Sequence, residues 1–191
     1  HTQSSAASDV YKRQIGYYED VVSDELCDKI MHYSDNVKQL RKSTYSTSTG
    51  KSDRSDERVK MDDGWFRNGE QYYNEIKDCF MVALKKYQEK HHDCLCQRYT
   101  DFRLNKYSKG GFMSRHIDNI HHSHGQTYGY PQLTALLMLN DDYEGGNFLI
   151  AENEYETAKG SAIVFPSNFM FPHAVKKVEK GTRYSIVTWL M

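Results

Sequence analysis

The stretch RYTDFRLNKYSKGGFMSRHIDN, residues 98–119, contains two short runs typical of β-strands, separated by the turn-forming pair Gly110-Gly111. The second run leads into His116 and Asp118, which are two positions apart. Because side chains at positions i and i+2 of a strand point to the same face, both can reach one metal ion. The stretch therefore predicts a β-rich region that carries two ligands of a metal site.

The β-rich pattern continues to the end of the chain in five further runs: QLTALLMLN, NFLIA, SAIVFP, HAVKKV and TRYSIVTWLM. Glycines at positions 145, 146, 160 and 181 mark turns between several of these runs. Two helical patterns come first, and none alternates with the strands. This order predicts an α+β fold whose sheets close as a sandwich or jelly roll.

The two helical patterns precede residue 97. The first has Ser23 as its N-cap and an apolar stripe formed by Leu26, Ile30, Tyr33, Val37 and Leu40. The second covers roughly 68–91, with a predicted buried side formed by Tyr72, Tyr73, Ile76, Phe80, Ala83, Leu84 and Tyr87. Between them, residues 43–60 are dense in Ser, Thr and charge, which predicts a polar, solvent-exposed loop.

We interpret the 191 residues as one domain with three parts, since this length is sufficient to bury a core. Residues 1–14 are polar and lack the apolar periodicity of the rest of the chain, so we expect a non-native or disordered tail there. Residues 15–96 form a helical support region that includes the polar loop. Residues 97–191 form the β-rich region.

Composition limits the partners that we expect. With 25 basic and 26 acidic residues, the sequence gives no electrostatic reason to expect nucleic acid or a membrane surface as a partner. Its four cysteines form no secreted pattern, so we expect reduced thiols in a cytoplasmic compartment. Cys94 and Cys96 could supply half of a zinc site, but no second cysteine pair completes it. No pattern indicates an oligomeric state.

The His-x-Asp pattern occurs twice, so the motif alone is weak evidence. The other match, His91 and Asp93, lies where the second helical pattern ends, and we expect solvated capping residues there. The match at His116 and Asp118 has a distal partner in His173, at the start of a β-like run. Two histidines and one carboxylate leave coordination positions open, which suits non-haem Fe(II) better than a closed zinc site.

Arg183 follows His173 by ten residues, and no other histidine after Asp118 has a basic residue at that spacing. On an adjoining strand, an arginine would project into the mouth of the barrel and offer a bidentate fork to a carboxylate. A zinc hydrolase with the same three ligands would need a further Glu as general base, and none is evident near them.

The segments YSKGGFMSRHIDN, LTALLMLNDDYEGGNFLI, KGSAIVFPSNFMFPHAV and GTRYSIVTWL resemble Fe(II)/2-oxoglutarate-dependent dioxygenases, and are most similar to the prolyl 4-hydroxylase branch. The resemblance implies a double-stranded β-helix, the jelly-roll or cupin-like core of that family, with the N-terminal helices as support. It implies that His116, Asp118 and His173 bind iron. It also implies that Arg183 binds the distal carboxylate of 2-oxoglutarate.

The resemblance extends to further contacts with 2-oxoglutarate. Tyr107, nine residues before His116, matches a family tyrosine whose hydroxyl helps to bind the cosubstrate. Relatives often have Tyr where this chain has Met138, and we expect Thr188 to replace the missing hydrogen bond. We expect Phe148 to pack on the cosubstrate, with simple core packing as the alternative.

The implied activity is hydroxylation of a C–H bond with Fe(II), 2-oxoglutarate and O2, releasing succinate and CO2, with L-ascorbate as reductant. The leading substrate is a peptidyl-proline in a peptide or protein. Alternatives are a free amino acid, a small metabolite or a nucleobase, or a catalytically inert cupin-like protein that only binds metal.

Loops 43–60 and 119–131 are the expected sources of substrate choice. The second loop contains His121, His122 and His124, for which a substrate-facing or solvated role and a second metal site are both open interpretations.

Overall fold

The computed structural model describes residues 12–46, 52–53, 57–119 and 129–191. In chain order the strands are β1 Gly16–Tyr18, β2 Arg41–Lys42, β3 Tyr45–Ser46, β4 Ser52–Asp53, β5 Val59–Lys60, β6 Asp62–Phe66, β7 Phe102–Tyr107, β8 Phe112–His116, β9 Leu133–Met138, β10 Glu144–Gly145, β11 Phe148–Ile150, β12 Asn153–Tyr155, β13 Ala162–Pro166, β14 His173–Val175, β15 Val178–Lys180 and β16 Arg183–Leu190. Helix α1 spans Asp24–Asn36 and helix α2 spans Tyr73–Gln88.

Most of the strands form two sheets. The larger sheet has seven strands in the order β1-β13-β9-β16-β7-β6-β2, and the smaller has five in the order β12-β11-β14-β8-β5. Leu136 and Val187 of the larger sheet share one buried core with Phe148 and Ile150 of the smaller sheet. The two sheets therefore pack face to face, which is consistent with the predicted sandwich or jelly roll.

The helices cover the other face of the larger sheet. Ile30 of α1 and Phe80 of α2 belong to a second core that also contains Leu104 and Ile186 of the sheet. Each central strand of the larger sheet is thus buried on both faces, and its side chains alternate between the helices and the smaller sheet.

Both helices form where the sequence places them, with different ends. The Ser23 hydroxyl accepts a hydrogen bond from the Leu26 amide at 3.3 Å, which confirms the predicted N-cap. The prediction that Val37 lies on the buried stripe is wrong, because α1 ends at Asn36 and Val37 is 67% exposed. Helix α2 is shorter than the predicted 68–91, although its buried residues agree with the predicted side.

Residues 15–96 do more than supply helices, which corrects the interpretation of this region as helical support. Strand β1 pairs with β13, and β6 pairs with β7, so both belong to the larger sheet. The β6 sequence DDGWF begins with two acidic residues and a glycine, which have low β-propensity. Pairing with β7 therefore stabilises a strand that its own sequence does not indicate.

Parts of the predicted polar loop at 43–60 form β-strands. Strands β3 and β4 within it pair with each other, and β5 pairs with β8. Val59 of β5 is only 2% exposed. One end of this segment is therefore an edge of the smaller sheet.

In the part of the chain that the structure describes, no helix is long and apolar enough to cross a membrane. The four cysteines are free thiols, and the sulfur atoms of Cys94 and Cys96 lie 3.8 Å apart.

Replacing Phe102 by alanine tests the helix-facing core. The ring is 1% exposed and lies 4.9 Å from the ring of Tyr73 and 5.3 Å from that of Phe80. We expect Phe102→Ala to lower the free energy of unfolding by about 3–5 kcal/mol in chemical denaturation, because it leaves a cavity between sheet and helix. Exposed Val37→Ala is the control and should change it by less than roughly 0.5 kcal/mol.

Candidate metal centre and anion site

The smaller sheet brings the three predicted metal ligands together. His116 ends β8 and lies directly opposite His173 at the start of β14, with ring centroids 4.2 Å apart. Asp118 follows β8, and its carboxylate oxygens lie 3.5 Å from His116 Nε2 and 3.3 Å from His173 Nε2. Among the described residues, this is the one group of three or more His, Cys, Asp or Glu side chains whose ligand atoms lie within 4.8 Å of one another.

Backbone carbonyls orient both imidazoles. His116 Nδ1 lies 2.9 Å from the Ser114 carbonyl oxygen, and His173 Nδ1 lies 3.2 Å from that of Phe171. A proton on each Nδ1 satisfies these carbonyls, and each Nε2 then presents its lone pair to the space beside Asp118. Such an arrangement is ready to receive a cation.

The protonation states also suit metal binding. Burial and the nearby His173 lower the pKa of His116 to about 4, so its imidazole is neutral at pH 7. Burial alone would raise the pKa of Asp118, but His173, His116 and the Thr134 hydroxyl together hold it well below its usual range. The Thr134 hydroxyl donates to Asp118 Oδ2 at 2.7 Å and so supports the ionised carboxylate.

Aromatic side chains surround the two histidines. The ring of Phe165 lies 4.9 Å from that of His173, and the ring of Phe148 lies 5.9 Å from it. On the other side, the ring of Tyr45 lies 6.4 Å from that of His116. Phe148 is 2% exposed and therefore belongs to the core around the cluster, while its predicted packing on a cosubstrate stays a prediction.

Arg183 begins β16 on the facing sheet and is fully buried, with 0% exposure. Its Nη1 donates to Ser185 Oγ at 3.0 Å and its Nη2 to Met138 Sδ at 3.2 Å, while its Nε is buried without a hydrogen-bond partner among the described residues. None of the ion pairs between described residues includes Arg183. A buried charge without a counter-charge is costly, so this guanidinium is a candidate site for an anion.

Tyr107 lies opposite Arg183 on β7, and the guanidinium carbon is 5.4 Å from the centre of its ring. Burial raises the pKa of the Tyr107 phenol although Arg183 acts to lower it. The hydroxyl therefore stays protonated and can donate a hydrogen bond beside the guanidinium.

Thr188 faces the helices and not the smaller sheet, so its predicted role at the cosubstrate is wrong. Its hydroxyl donates to the Thr100 carbonyl at 2.9 Å, and it lines a small space beside Phe80 of α2. Alternation along β16 puts even-numbered residues toward the helices, whereas Arg183 and Ser185 face the smaller sheet. Ser185 is the polar neighbour that sequence reasoning missed, and its spacing of two from Arg183 was the available signal.

No other histidine among the described residues belongs to this cluster. His91, of the second His-x-Asp match, packs its ring 4.4 Å from that of Tyr87 just beyond α2. His121, His122 and His124 lie outside the described residues.

Comparison with known proteins agrees with this arrangement. Residues 102–191, which carry the three metal-ligand candidates and Arg183, match the model of the 2OG-Fe(II) oxygenase superfamily. This part of the chain is therefore similar to that superfamily.

Two curated relatives match shorter parts of the chain. A PKHD-type hydroxylase of Stenotrophomonas maltophilia (strain R551-3) is 30% identical over 123 residues, covering 61% of this chain and 54% of the relative. Human prolyl 3-hydroxylase 2 is 38% identical over 69 residues, covering 32% of this chain and 10% of that protein. The chain thus spans about half the length of the first relative and a tenth of the second.

Solved structures show the same fold at low identity. A viral collagen prolyl hydroxylase from Paramecium Bursaria Chlorella virus-1, in its 2OG complex, has a TM-score of 0.70 at 17% identity and covers 93% of this chain and 95% of its own. A Trichoplax adhaerens prolyl hydroxylase, in complex with a hypoxia inducible factor peptide fragment, has a TM-score of 0.72 at 16% identity, with 96% and 86% coverage.

Proposed function

We propose that this chain is an Fe(II)- and 2-oxoglutarate-dependent dioxygenase that hydroxylates a C–H bond and is built on a double-stranded β-helix. The observation that carries the proposal is Arg183, a fully buried guanidinium without a carboxylate partner among the described residues. It lies on the sheet that faces the cluster of His116, Asp118 and His173. An anion that also coordinates a metal ion could bind to the guanidinium and to a metal held by the three ligand candidates at the same time.

The residues fit these groups. Two imidazoles and one carboxylate are the ligand set that suits Fe(II) with open positions. Arg183 would take the far carboxylate of 2-oxoglutarate, held in place by its hydrogen bond to Ser185. Met138, which replaces the tyrosine of many relatives, contacts the guanidinium through its sulfur but has no hydroxyl. The Tyr107 ring also lies beside the guanidinium, so its hydroxyl would donate the hydrogen bond to the anion.

The bound iron, 2-oxoglutarate and O2 would supply the oxidising chemistry, with succinate and CO2 as products and L-ascorbate as a reductant that preserves Fe(II). The protein's part is to fix the ligands through Ser114, Phe171 and Thr134 and to exclude water with the aromatic wall of Phe148 and Phe165.

We propose a peptidyl-proline as the substrate. The named relatives and structural neighbours include prolyl hydroxylases, one of them in complex with a peptide. Phe169 and Met170, in the turn just before β14, are 77% and 41% exposed. These apolar side chains precede His173 closely and offer more contact surface than a free amino acid would need, which supports a peptide.

The test is an anaerobic titration of the apo-protein with Fe(II) and then 2-oxoglutarate, followed by absorption spectroscopy of the visible charge-transfer band of the chelate. We expect the band to appear with 2-oxoglutarate, and succinate to form once O2 and a proline peptide are added. A folded, iron-loaded protein that gives no band would contradict the proposal.

Two substitutions on β16 test whether Ser185, and not Thr188, lies on the face that carries the proposed 2-oxoglutarate site. Ser185→Ala should weaken 2-oxoglutarate binding by roughly 3–10-fold, because Arg183 loses its hydrogen-bonded support. Thr188→Val removes only a bond to Thr100 on the helix side, and the dissociation constant from the chelate band should stay within about twofold. The reverse pattern would contradict the assignment.

A further inference from the structure

A second guanidinium faces the site without a counter-charge among the described residues. Arg103 of β7 lies opposite Trp65 of β6 and Val187 of β16. Its guanidinium carbon lies 4.9 Å from the centre of the Trp189 ring, and the two tryptophan rings are 6.2 Å apart. Arg103 and the two tryptophans therefore form one cluster, the Arg103–Trp cluster.

Two hydrogen-bond donors of the Arg103–Trp cluster are unused. Both Arg103 Nε and Trp189 Nε1 are buried without a partner in the part of the chain that the structure describes. Among the described residues no ion pair includes Arg103, and the buried carboxylate on β6, Asp63, already pairs with Arg41 at 3.1 Å. Buried N–H donors without acceptors are rare in folded proteins, so a ligand is expected to supply the acceptor.

The Arg103–Trp cluster lies at the open end of the site. Along β16, Arg183 and Ser185 are 0% exposed, Val187 is 3% exposed and Trp189 is partly exposed. Arg103 and Trp65 are partly exposed as well. The anion proposed to bind Arg183 would thus occupy the buried end of the site. The Arg103–Trp cluster is accessible to a molecule that enters from solvent.

The Arg103–Trp cluster is also close to the metal ligands. Trp189 pairs directly with Thr134 of β9, so the two side chains share a face of the sheet. Thr134 holds Asp118 through a 2.7 Å hydrogen bond. A substrate group bound at Trp189 would therefore lie on the same face as the proposed iron ligands.

We propose that Arg103, stacked on Trp189, binds a carboxylate of the substrate, so that the enzyme selects a proline that is followed by a carboxylate. This inference rests on the proposed function. The buried guanidinium of Arg183 then binds the cosubstrate, and the partly exposed guanidinium of Arg103 binds the substrate. The carboxylate belongs either to the C-terminus of the substrate or to an acidic side chain beside the proline.

Tryptophan fluorescence gives a direct test, since the chain has two tryptophans and both lie in the Arg103–Trp cluster. The Fe(II) and 2-oxoglutarate complex, kept under nitrogen, is titrated with three probes: N-acetylproline, N-acetylprolyl-aspartic acid α-amide, whose side-chain carboxylate is free, and neutral N-acetylprolinamide. We expect one acidic probe to change the emission at a concentration at least about tenfold lower than the neutral probe. The acidic probe that does so identifies the source of the carboxylate.

Substitutions identify the residue responsible. Arg103→Met should remove the preference for the acidic probe, while Arg103→Lys, which keeps the charge, should retain part of it. Arg115→Met is the matched control, because Arg115 points outward with 63% of its side chain exposed and contacts Glu152. Equal response to all three probes, or an unchanged preference in Arg103→Met, would overturn the proposal.

The chelate band separates this inference from the proposed function. Arg103→Met should form the band at the same 2-oxoglutarate concentration as the unsubstituted protein, which also shows that the variant is folded. A variant that loses 2-oxoglutarate affinity would place Arg103 at the cosubstrate and overturn the inference. No band in the unsubstituted protein would instead be a failure of the proposed function.

Discussion

Asp118→Ala is expected to abolish Fe(II) binding and, with it, succinate formation. Asp118 is the single carboxylate among the three ligand candidates, and both imidazole Nε2 atoms lie within 3.5 Å of it. Loss of an outer-shell partner costs about 10–100-fold in metal affinity, so loss of a ligand should exceed about 100-fold. Iron content after desalting and succinate release measure the effect.

The chain provides its own control for this substitution. Asp93→Ala changes the other His-x-Asp match, whose carboxylate is exposed beyond α2. Iron content should then be unchanged. If Asp118→Ala retained iron as well as Asp93→Ala does, the metal would lie somewhere other than the cluster of His116, Asp118 and His173.

Arg183→Met should separate cosubstrate binding from iron binding. Removing one side of a buried charged hydrogen-bonded pair costs about 2–5 kcal/mol, so the dissociation constant of 2-oxoglutarate should rise by at least about 30-fold. Fe(II) affinity should stay the same, because Arg183 lies on the facing sheet and contacts Ser185 and Met138 rather than a ligand.

The same variant has an opposite effect on the ligand-free protein. Arg183 is buried with an unpartnered Nε, and methionine fills similar space without a charge. The free energy of unfolding of the apo-protein should therefore be unchanged or higher, while 2-oxoglutarate loses its stabilising effect. A large loss of apo stability would mean that Arg183 has a structural role instead of an anion-binding one.

The sequence predicted those features that depend on local pattern. The alternating runs after residue 97 became strands, and Ser23 became the cap of α1, because each signal lies within a few neighbouring residues. The sequence also predicted that His116 and His173 act together, because each lies at the end or the start of a recognisable β-like run.

Features that depend on residues far apart in the chain could not be predicted from local sequence patterns. Strand β6 exists because β7 pairs with it, and its own DDGWF sequence does not indicate a strand. Thr188 was expected to replace a hydrogen bond to the cosubstrate without regard to the alternation of faces, and a shift of one position reverses the face in a strand. The unused donors of Arg103 and Trp189 appear only after three strands come together.

The two-faced character of β16 has a consequence for engineering this protein. Stability is concentrated on its even-numbered side, where Tyr184, Ile186 and Leu190 pack under the helices. Selectivity would be concentrated on its odd-numbered side, at Trp189 and at Arg103 of the next strand. A mutant library restricted to Trp189 and Arg103 could therefore explore new substrates while the core and the proposed cosubstrate site are left unchanged, whereas inserting one residue into β16 would reverse the two faces beyond the insertion.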